Sequence, residues 1–200
     1  TAGAEAMFMF YNNRSKTKQG AHKFFVSNRF TSILNLTNFN LNSYLHKIRS
    51  VRRQEYRKNI HSTIVDCRVE DFLELYLETF NRQNIVTNSQ TINLVDKIAR
   101  GALQNNAGHL SKVVLNGEDA CANLFVYSGT TAYYLFGANN PKFRSSGAST
   151  ALMIESIKRA AYNGCKYIDF VGVNSPNRGD YKLSFGGDLN PYYQVILDKT

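Results

Sequence analysis

Near residue 112 the spacing of apolar residues changes from a helical period to strict alternation. The alternation predicts three strands, Lys112–Leu115, Asp119–Tyr127 and Thr131–Gly137. Asn116-Gly117, the dipeptide most typical of a two-residue hairpin, joins the first two strands, and Ser128-Gly129 joins the next two. Any fold for this chain therefore has to contain an antiparallel meander.

Helical patterns precede the meander. Glu70–Asn81 and Asn88–Asn105 are predicted to be amphipathic helices, because their apolar residues recur every three to four positions. Before them the sequence predicts a helix at Tyr44–Asn59 and a strand at Ile60–Cys67. The first of these helices is strongly basic, since Glu55 is its only acidic residue.

A different order follows the meander: a loop at 139–146, a helix at 147–163 and a strand at 166–171. A strand, a helix and a further strand predict a parallel crossover. The chain then continues with a loop at 174–190 and an aromatic strand at 192–197. Together these elements predict an α+β fold, a mixed central sheet flanked by helices. The order is also that of the GNAT (acyl-CoA N-acyltransferase-like) fold.

Composition narrows the chemistry further. The chain has 200 residues and a net charge of +9, which favours anionic partners such as a phosphorylated cofactor, nucleic acid or an anionic lipid surface. Cys67, Cys121 and Cys165 form no CxxC pair, and the four histidines have no ligand spacing, so we expect no metal site. Without a visible signal peptide or membrane span, we expect a cytoplasmic protein with reduced cysteines.

One loop has the character of a phosphate site. Arg144-Ser145-Ser146-Gly147-Ala148-Ser149 lies between a predicted strand and a predicted helix. Backbone N–H groups at a helix start attract anions, and small residues allow a phosphate to approach the backbone. The loop resembles the R/Q-x-x-G-x-G/A loop of GNAT enzymes, which holds the cofactor pyrophosphate, although Ser149 stands where that pattern has Gly or Ala. The resemblance implies that residues 144–149 bind the phosphates of acyl-CoA.

A second motif lies near the end of the sequence. Asp169-Phe-Val-Gly172 is followed by Tyr181-Lys-Leu-Ser-Phe-Gly-Gly187. This pair is similar to the DFxG strand and FK-x-x-FGG segment of the FemAB family within the GNAT superfamily. Tyr133–Ala138 resembles the family's aromatic strand that ends in Gly-Ala, and the basic helix resembles its RR…RK helix. The resemblance extends from about residue 44 to the end.

FemAB proteins have two GNAT-like lobes, so the resemblance predicts a division of this chain into two parts. Apolar runs at 6–11 and 22–27 predict two strands before the basic helix. The resemblance therefore implies a remnant of an N-terminal lobe at 1–40 and a GNAT-like acyltransferase domain at 41–200. About forty residues are too few for a complete first lobe.

The resemblance also implies a catalytic set. Lys182 matches the lysine of the FK motif, and its ammonium would stabilise an oxyanion or hold a substrate phosphate. Asp169 would orient an amine or act as a base, or else cap a neighbouring loop. Tyr181 and Tyr134 would serve as acids toward a leaving group, with core packing as the alternative.

Four functions remain open from the sequence. The first is an N-acyltransferase that uses acyl-CoA and an amine such as an amino sugar or a cell-envelope precursor. The second is a Fem-type transferase that uses aminoacyl-tRNA to modify peptidoglycan precursors, with helix 44–59 on the tRNA phosphates. The third is a GNAT-like lobe that binds nucleic acid or protein without catalysis, and the fourth is a structural fragment of a longer enzyme.

Overall fold

A computed structural model describes residues 23–81 and 88–198. These residues form seven strands and six α-helices. In chain order the elements are β1 (Lys23–Asn35), α1 (Leu41–Lys47), α2 (Ser50–Lys58), β2 (Thr63–Asp66), α3 (Val69–Asn81), α4 (Ser89–Gln104), β3 (Gly108–Leu115), β4 (Glu118–Ser128), β5 (Thr131–Asn139), α5 (Ala148–Tyr162), β6 (Tyr167–Gly172), α6 (Pro176–Leu183) and β7 (Asp188–Asp198). A short 3-10 turn at Pro141–Phe143 precedes α5. None of the helices described is long and apolar enough to cross a membrane.

All seven strands belong to one mixed sheet with the order β2-β3-β4-β5-β6-β1-β7. The predicted meander is confirmed, because β3, β4 and β5 pair antiparallel. Asn116 and Gly117 both have positive φ, as a two-residue hairpin turn requires. The predicted crossover is confirmed as well, since β5 and β6 pair parallel through α5. The chain therefore has the mixed sheet flanked by helices that the element order predicts.

Strand β1 lies inside this sheet, between β6 and β7. It falls within residues 1–40, which we predict to be the remnant of another lobe. That domain division stays a prediction, yet β1 is hydrogen-bonded on both sides to strands of the region 41–200. The strand predicted at 6–11 lies outside the described residues.

Two predictions about the elements are wrong. The basic helix at 44–59 is divided into α1 and α2, because the backbone is extended at Ile48. Arg53 stabilises the break, since its guanidinium donates to the carbonyl oxygens of Leu45, His46 and Ile48 at 3.1–3.2 Å. The predicted loop at 174–190 contains α6 and the first residues of β7.

The sheet is covered on both faces. Helices α3 and α4 pack on β3, β4 and β5 through a cluster that includes Phe72, Val95 and Leu124. Helix α5 packs on the other face, where Ile154, Ile157 and its neighbours meet α1, α2 and β6. In the middle of β4, Cys121 and Phe125 face α5 while Ala122 and Leu124 face α3 and α4, which is the period of two predicted from the sequence.

His109 is a buried titratable group in this core. Its ring stacks on Phe125 at 5.1 Å, and Nδ1 lies 2.6 Å from the hydroxyl of Tyr127. Nε2 is buried without a partner among the described residues. Burial lowers the pKa of His109 to about 4, and Arg159 lowers it further while Asp66 opposes the shift. His109 is therefore neutral in the folded protein at neutral pH.

This lowered pKa predicts how stability depends on pH. The unfolded chain takes up a proton near the ordinary histidine value of 6.5 and the folded protein only near 4, so stability is complete above 6.5 and falls as pH decreases between these values. We expect His109 to account for a loss of about 1.5 kcal/mol between pH 6.5 and pH 5. Urea unfolding at both pH values should show that loss in the wild type and a smaller loss in His109→Gln. An equal loss in both proteins would contradict the assignment.

Candidate active site at the opening between β5 and β6

Strands β5 and β6 are paired over only three residue pairs, from Thr131 with Tyr167 to Tyr133 with Asp169. Beyond that point both strands continue without pairing to each other. Each carries an irregularity there: Leu135 is an extra residue against β4, and β6 has one extra residue against β1. The sheet therefore opens where the two irregular strands diverge.

The irregularity in β6 explains the Asp-Phe-Val-Gly sequence. Val171 has a φ of 59°, a left-handed conformation that is rare for a β-branched residue and costs about 1–3 kcal/mol. The backbone N–H of Val171 donates to Asp169 Oδ1 at 2.7 Å, and the hydroxyl of Thr31 on β1 donates to the same oxygen. These bonds offset the strain and fix the Asp169 carboxylate at the opening.

Lys182 reaches the same place from α6. Its ammonium donates to the carbonyl oxygen of Gly172 at 3.1 Å and lies 5.5 Å from the centre of the Tyr134 ring. Burial lowers the pKa of Lys182, the Asp169 carboxylate raises it, and Arg178 lowers it. The structure thus brings Lys182, Asp169 and Tyr134 together.

The two predicted tyrosines line the adjacent cavity. Burial raises the pKa of Tyr134, whose hydroxyl lies over Gly137 so closely that a Cβ there would be 2.0 Å away. Burial also raises the pKa of Tyr181 to about 12, and its hydroxyl donates to the carbonyl oxygen of Ser149 at 3.1 Å. Both phenols are therefore protonated at neutral pH. The cavity between them is about 20 Å³, room for roughly one water molecule.

The predicted phosphate loop forms the N-terminal end of α5. Gly147 has a φ of 82°, and Ala148 N–H donates to the hydroxyl of Ser146 at 3.1 Å. The N–H groups of Gly147 and Ser149 have no acceptor within residues 23–81 and 88–198. Arg144 is exposed, and its guanidinium makes no hydrogen bond or ion pair with the described residues. Two backbone donors and one free cation are thus available to an anion.

Helix α2 covers this loop from one side. Asn59 donates to the carbonyl oxygen of Ser146 at 2.9 Å, and a Cβ on Gly147 would lie 2.9 Å from that of Glu55. The Glu55 carboxylate accepts from Thr150 at 2.5 Å. A negative charge of the protein itself therefore already lies at the N-terminal turn of α5.

Arg52 joins the three helices around the site. Its guanidinium donates to Ser184 at 2.8 Å, to Glu55 at 2.5 Å and to Thr150 at 3.2 Å. It also lies 4.8 Å above the ring of Tyr181. Arg52 and Arg53, the arginine pair of the basic helix, thus make internal contacts, whereas Lys47, Arg57 and Lys58 are exposed.

A wider groove of the described residues lies elsewhere. It has a volume of about 1220 Å³ and is lined by α5, the end of α2 and the chain around Phe39. None of the predicted site residues lines it. The groove therefore lends no support to their predicted roles.

Comparison with known proteins agrees with this architecture. The family model "Acetyltransferase (GNAT) domain" matches residues 42–183. The chain belongs to this GNAT family. No curated protein matches the sequence significantly.

Solved structures of three proteins share the fold of this GNAT chain. The crystal structure of FemX is 13% identical, with a TM-score of 0.67, and the alignment covers 91% of this chain and 64% of FemX. The C-terminal domain of a protein from Agrobacterium fabrum, described as a "Putative Lysylphosphatidylglycerol Synthetase", is 11% identical, with a TM-score of 0.59, and the alignment covers 87% of this chain and 61% of that domain. A protein from Bacteroides thetaiotaomicron is 13% identical, with a TM-score of 0.60, and covers 86% and 62%. The chain thus spans less than two thirds of these proteins, and the likeness concerns the fold.

The sequence does not indicate that some other residues belong to this candidate site. Thr31 lies 138 positions before Asp169, and nothing in its surroundings marks it. Glu55 and Thr150 are 95 positions apart and meet only in the fold. The roles of Lys182, Asp169, Tyr181, Tyr134 and residues 144–149 stay predictions.

The charges around Lys182 predict how its pKa responds to substitution. Asp169→Asn removes the carboxylate that favours the ammonium, so the pKa of Lys182 should fall further. Asp180→Asn, on the same helix but paired with Arg49, should leave it unchanged. Carbon-13 NMR of reductively methylated lysines measures both. If the pKa of Lys182 is the same in Asp169→Asn as in the wild type, the two groups do not share one site.

The contacts of Arg52 predict a structural role for the basic helix. Arg52→Met leaves the half-buried Glu55 without its cation and should lower the free energy of unfolding by about 2–3 kcal/mol. Arg57→Met, an exposed change on the same helix, should alter it by less than about 0.5 kcal/mol. Urea unfolding compares the two variants, and equal small effects would show that Arg52 does not join the helices.

Proposed function

We propose that this chain transfers an acyl group to an amine at the opening between β5 and β6. The carrying observation is that Lys182 and Asp169 both lie there, each held by an irregular part of β6. Divergent strands leave backbone and side-chain groups of one sheet accessible to a substrate. Membership of the GNAT family supports acyl transfer as the reaction type.

The reaction needs three contributions from the protein. The neutral amine attacks the carbonyl carbon of the donor, so a carbon–nitrogen bond forms while the carbon–sulfur or carbon–oxygen bond to the leaving group breaks. The Lys182 ammonium stabilises the oxyanion that develops on the carbonyl oxygen. The Asp169 carboxylate accepts the proton that the attacking nitrogen loses, and the leaving group takes up a proton. Tyr134, protonated at neutral pH and with its ring centre 5.5 Å from the Lys182 ammonium, is the candidate donor of that proton.

Acyl-CoA is the first candidate donor. The unpaired N–H groups of Gly147 and Ser149 lie at a helix start, where an anion is favoured, and Arg144 is free to pair with phosphate. If acyl-CoA is the donor, the acceptor is an amine such as an amino sugar or a cell-envelope precursor.

Aminoacyl-tRNA is the second candidate, and Glu55 is the observation that favours it. The Glu55 carboxylate at the start of α5 repels a pyrophosphate, and the adjoining cavity holds about one water rather than a pantetheine arm. A donor whose phosphates bind away from the start of α5 avoids the Glu55 charge and does not need the small cavity. Exposed cations at Lys47, Arg57 and Lys58 would suit tRNA phosphates.

Binding measurements separate the two donors. If acetyl-CoA is the donor, calorimetric titration should show saturable binding that Arg144→Ala weakens and Glu55→Gln strengthens severalfold. If aminoacyl-tRNA is the donor, alanyl-tRNA should bind with a steep dependence on salt that the double change Arg57→Ala, Lys58→Ala reduces. Lys166→Ala is the matched control for all three variants, because Lys166 is exposed and its ammonium makes no hydrogen bond or ion pair with the described residues.

Catalysis is then tested with the donor that binds. Transfer to a panel of primary amines, including glucosamine and a lysine-containing peptide, should fall by about 10²–10³-fold in Lys182→Met while donor affinity changes little. Absence of binding to both donors, or binding without transfer to any amine, would overturn the proposed function.

A further inference from the structure

The two oxygens of the Asp169 carboxylate have different surroundings. Oδ1 accepts hydrogen bonds from the hydroxyl of Thr31 and from the backbone N–H of Val171. Oδ2 has no hydrogen-bond or ion-pair partner among residues 23–81 and 88–198. Lys182 forms no ion pair with it either, and its ammonium donates to the carbonyl oxygen of Gly172. One oxygen is thus fixed by the protein and the other is left available.

The two donors to Oδ1 come from independent parts of the chain. Val171 belongs to the irregularity in β6 and holds a left-handed φ. Thr31 belongs to β1, where it lies opposite Gly172. The irregularity lies between the pairs that Thr31 makes with Gly172 and Ile33 makes with Asp169. The register of β1 therefore sets where the Thr31 hydroxyl meets the carboxylate.

We propose that Thr31 is a positioning residue, which fixes Oδ1 of Asp169 so that Oδ2 binds the nitrogen of the acceptor amine. This inference rests on the proposed function, because it assigns the acceptor subsite of the same reaction. Thr31 touches no substrate itself and acts through Asp169.

The charge of Lys182 influences which form of amine binds. The Lys182 cation offsets the attraction between the Asp169 carboxylate and an ammonium acceptor, whereas a neutral amine donates an N–H to Oδ2 without that penalty. The neutral amine is also the form that attacks a carbonyl carbon. Asp169 and Lys182 together thus define a subsite for a neutral primary or secondary amine.

The fixed oxygen has a direct spectroscopic readout. The amide NMR signal of Val171 reports its hydrogen bond to Asp169. Thr31→Val, which removes the hydroxyl and keeps the shape, should shift this signal upfield and speed its hydrogen exchange by about tenfold or more. Thr31→Ser keeps the hydroxyl and should restore both. Ser32→Ala is the matched control, since the buried Ser32 hydroxyl has no partner in the described chain. An unchanged Val171 signal in Thr31→Val would overturn the positioning role.

The available oxygen is tested with a small amine. Trifluoroethylamine stays neutral at neutral pH, and its fluorine NMR signal should shift saturably with the wild type. The shift should weaken severalfold in Thr31→Val, disappear in Asp169→Asn and persist in Thr31→Ser and Ser32→Ala. Trifluoroethyl methyl ether, which has no N–H, should not bind. Equal amine binding by wild type and Asp169→Asn would overturn the subsite.

These measurements are independent of transfer, so failure of the inference can be told from failure of the proposed function. When transfer is measured as well, Thr31→Val should raise KM for the amine and lower kcat, with donor affinity unchanged. In the Asp169→Asn background Thr31→Val should cause no further loss, because it acts only through Asp169. Additive losses would show that Thr31 acts by another route.

Discussion

The hydrogen bonding of β1 to β6 is the constraint on which the candidate site depends. β6 pairs with β5 over only three residues, so its later part is held mainly from the β1 side. That pairing accommodates the extra residue of β6 and the left-handed Val171. Without β1, nothing described would supply the second hydrogen bond to Asp169 Oδ1. A strand from the first forty residues is thus part of the site as well as of the sheet.

The helices around the opening are held by a second set of polar contacts. Arg52 joins α2, α5 and α6, and it does so with a guanidinium that is mostly shielded from water. Such a contact is costly unless every charge is paired, and here Glu55 supplies the opposite charge. The same carboxylate lies at the start of α5. Stability of the helix packing and the electrostatics of the predicted phosphate loop are therefore coupled through Glu55.

Local signals explain the parts of the fold that the sequence predicts. The Asn116-Gly117 turn and the alternating strands need no distant partner, and the same holds for the crossover through α5. Helix α6 is different, because it is only eight residues long and Gly179 within it lowers its intrinsic helix propensity. A Cβ at Gly179 would lie 2.1 Å from the carbonyl oxygen of Val173, so this glycine is required by the close approach of the chain six residues before it. Sequence pattern alone marks such a segment as a loop.

The candidate site also contains residues that the sequence marks and residues that it does not. Lys182, Asp169, Tyr134 and Tyr181 could be selected because their motif resembles a family pattern, and the fold brings all four to one end of β5 and β6. Thr31 and Glu55 could not be selected, because their roles depend on neighbours about a hundred or more positions away.

Glu55 also bears on how the phosphate loop is interpreted. A helix start with free N–H groups attracts an anion through its partial positive charge, which is worth about 0.3–1 kcal/mol at an exposed position. A full negative charge on Glu55 opposes a second anion there by a comparable or larger amount, partly screened by Arg52. The residue pattern of the loop does not indicate this repulsion, because Glu55 lies about ninety positions before the loop. The electrostatic balance at α5 is therefore set by α2, and the choice of donor depends on how Glu55 and Arg52 are paired when phosphate approaches.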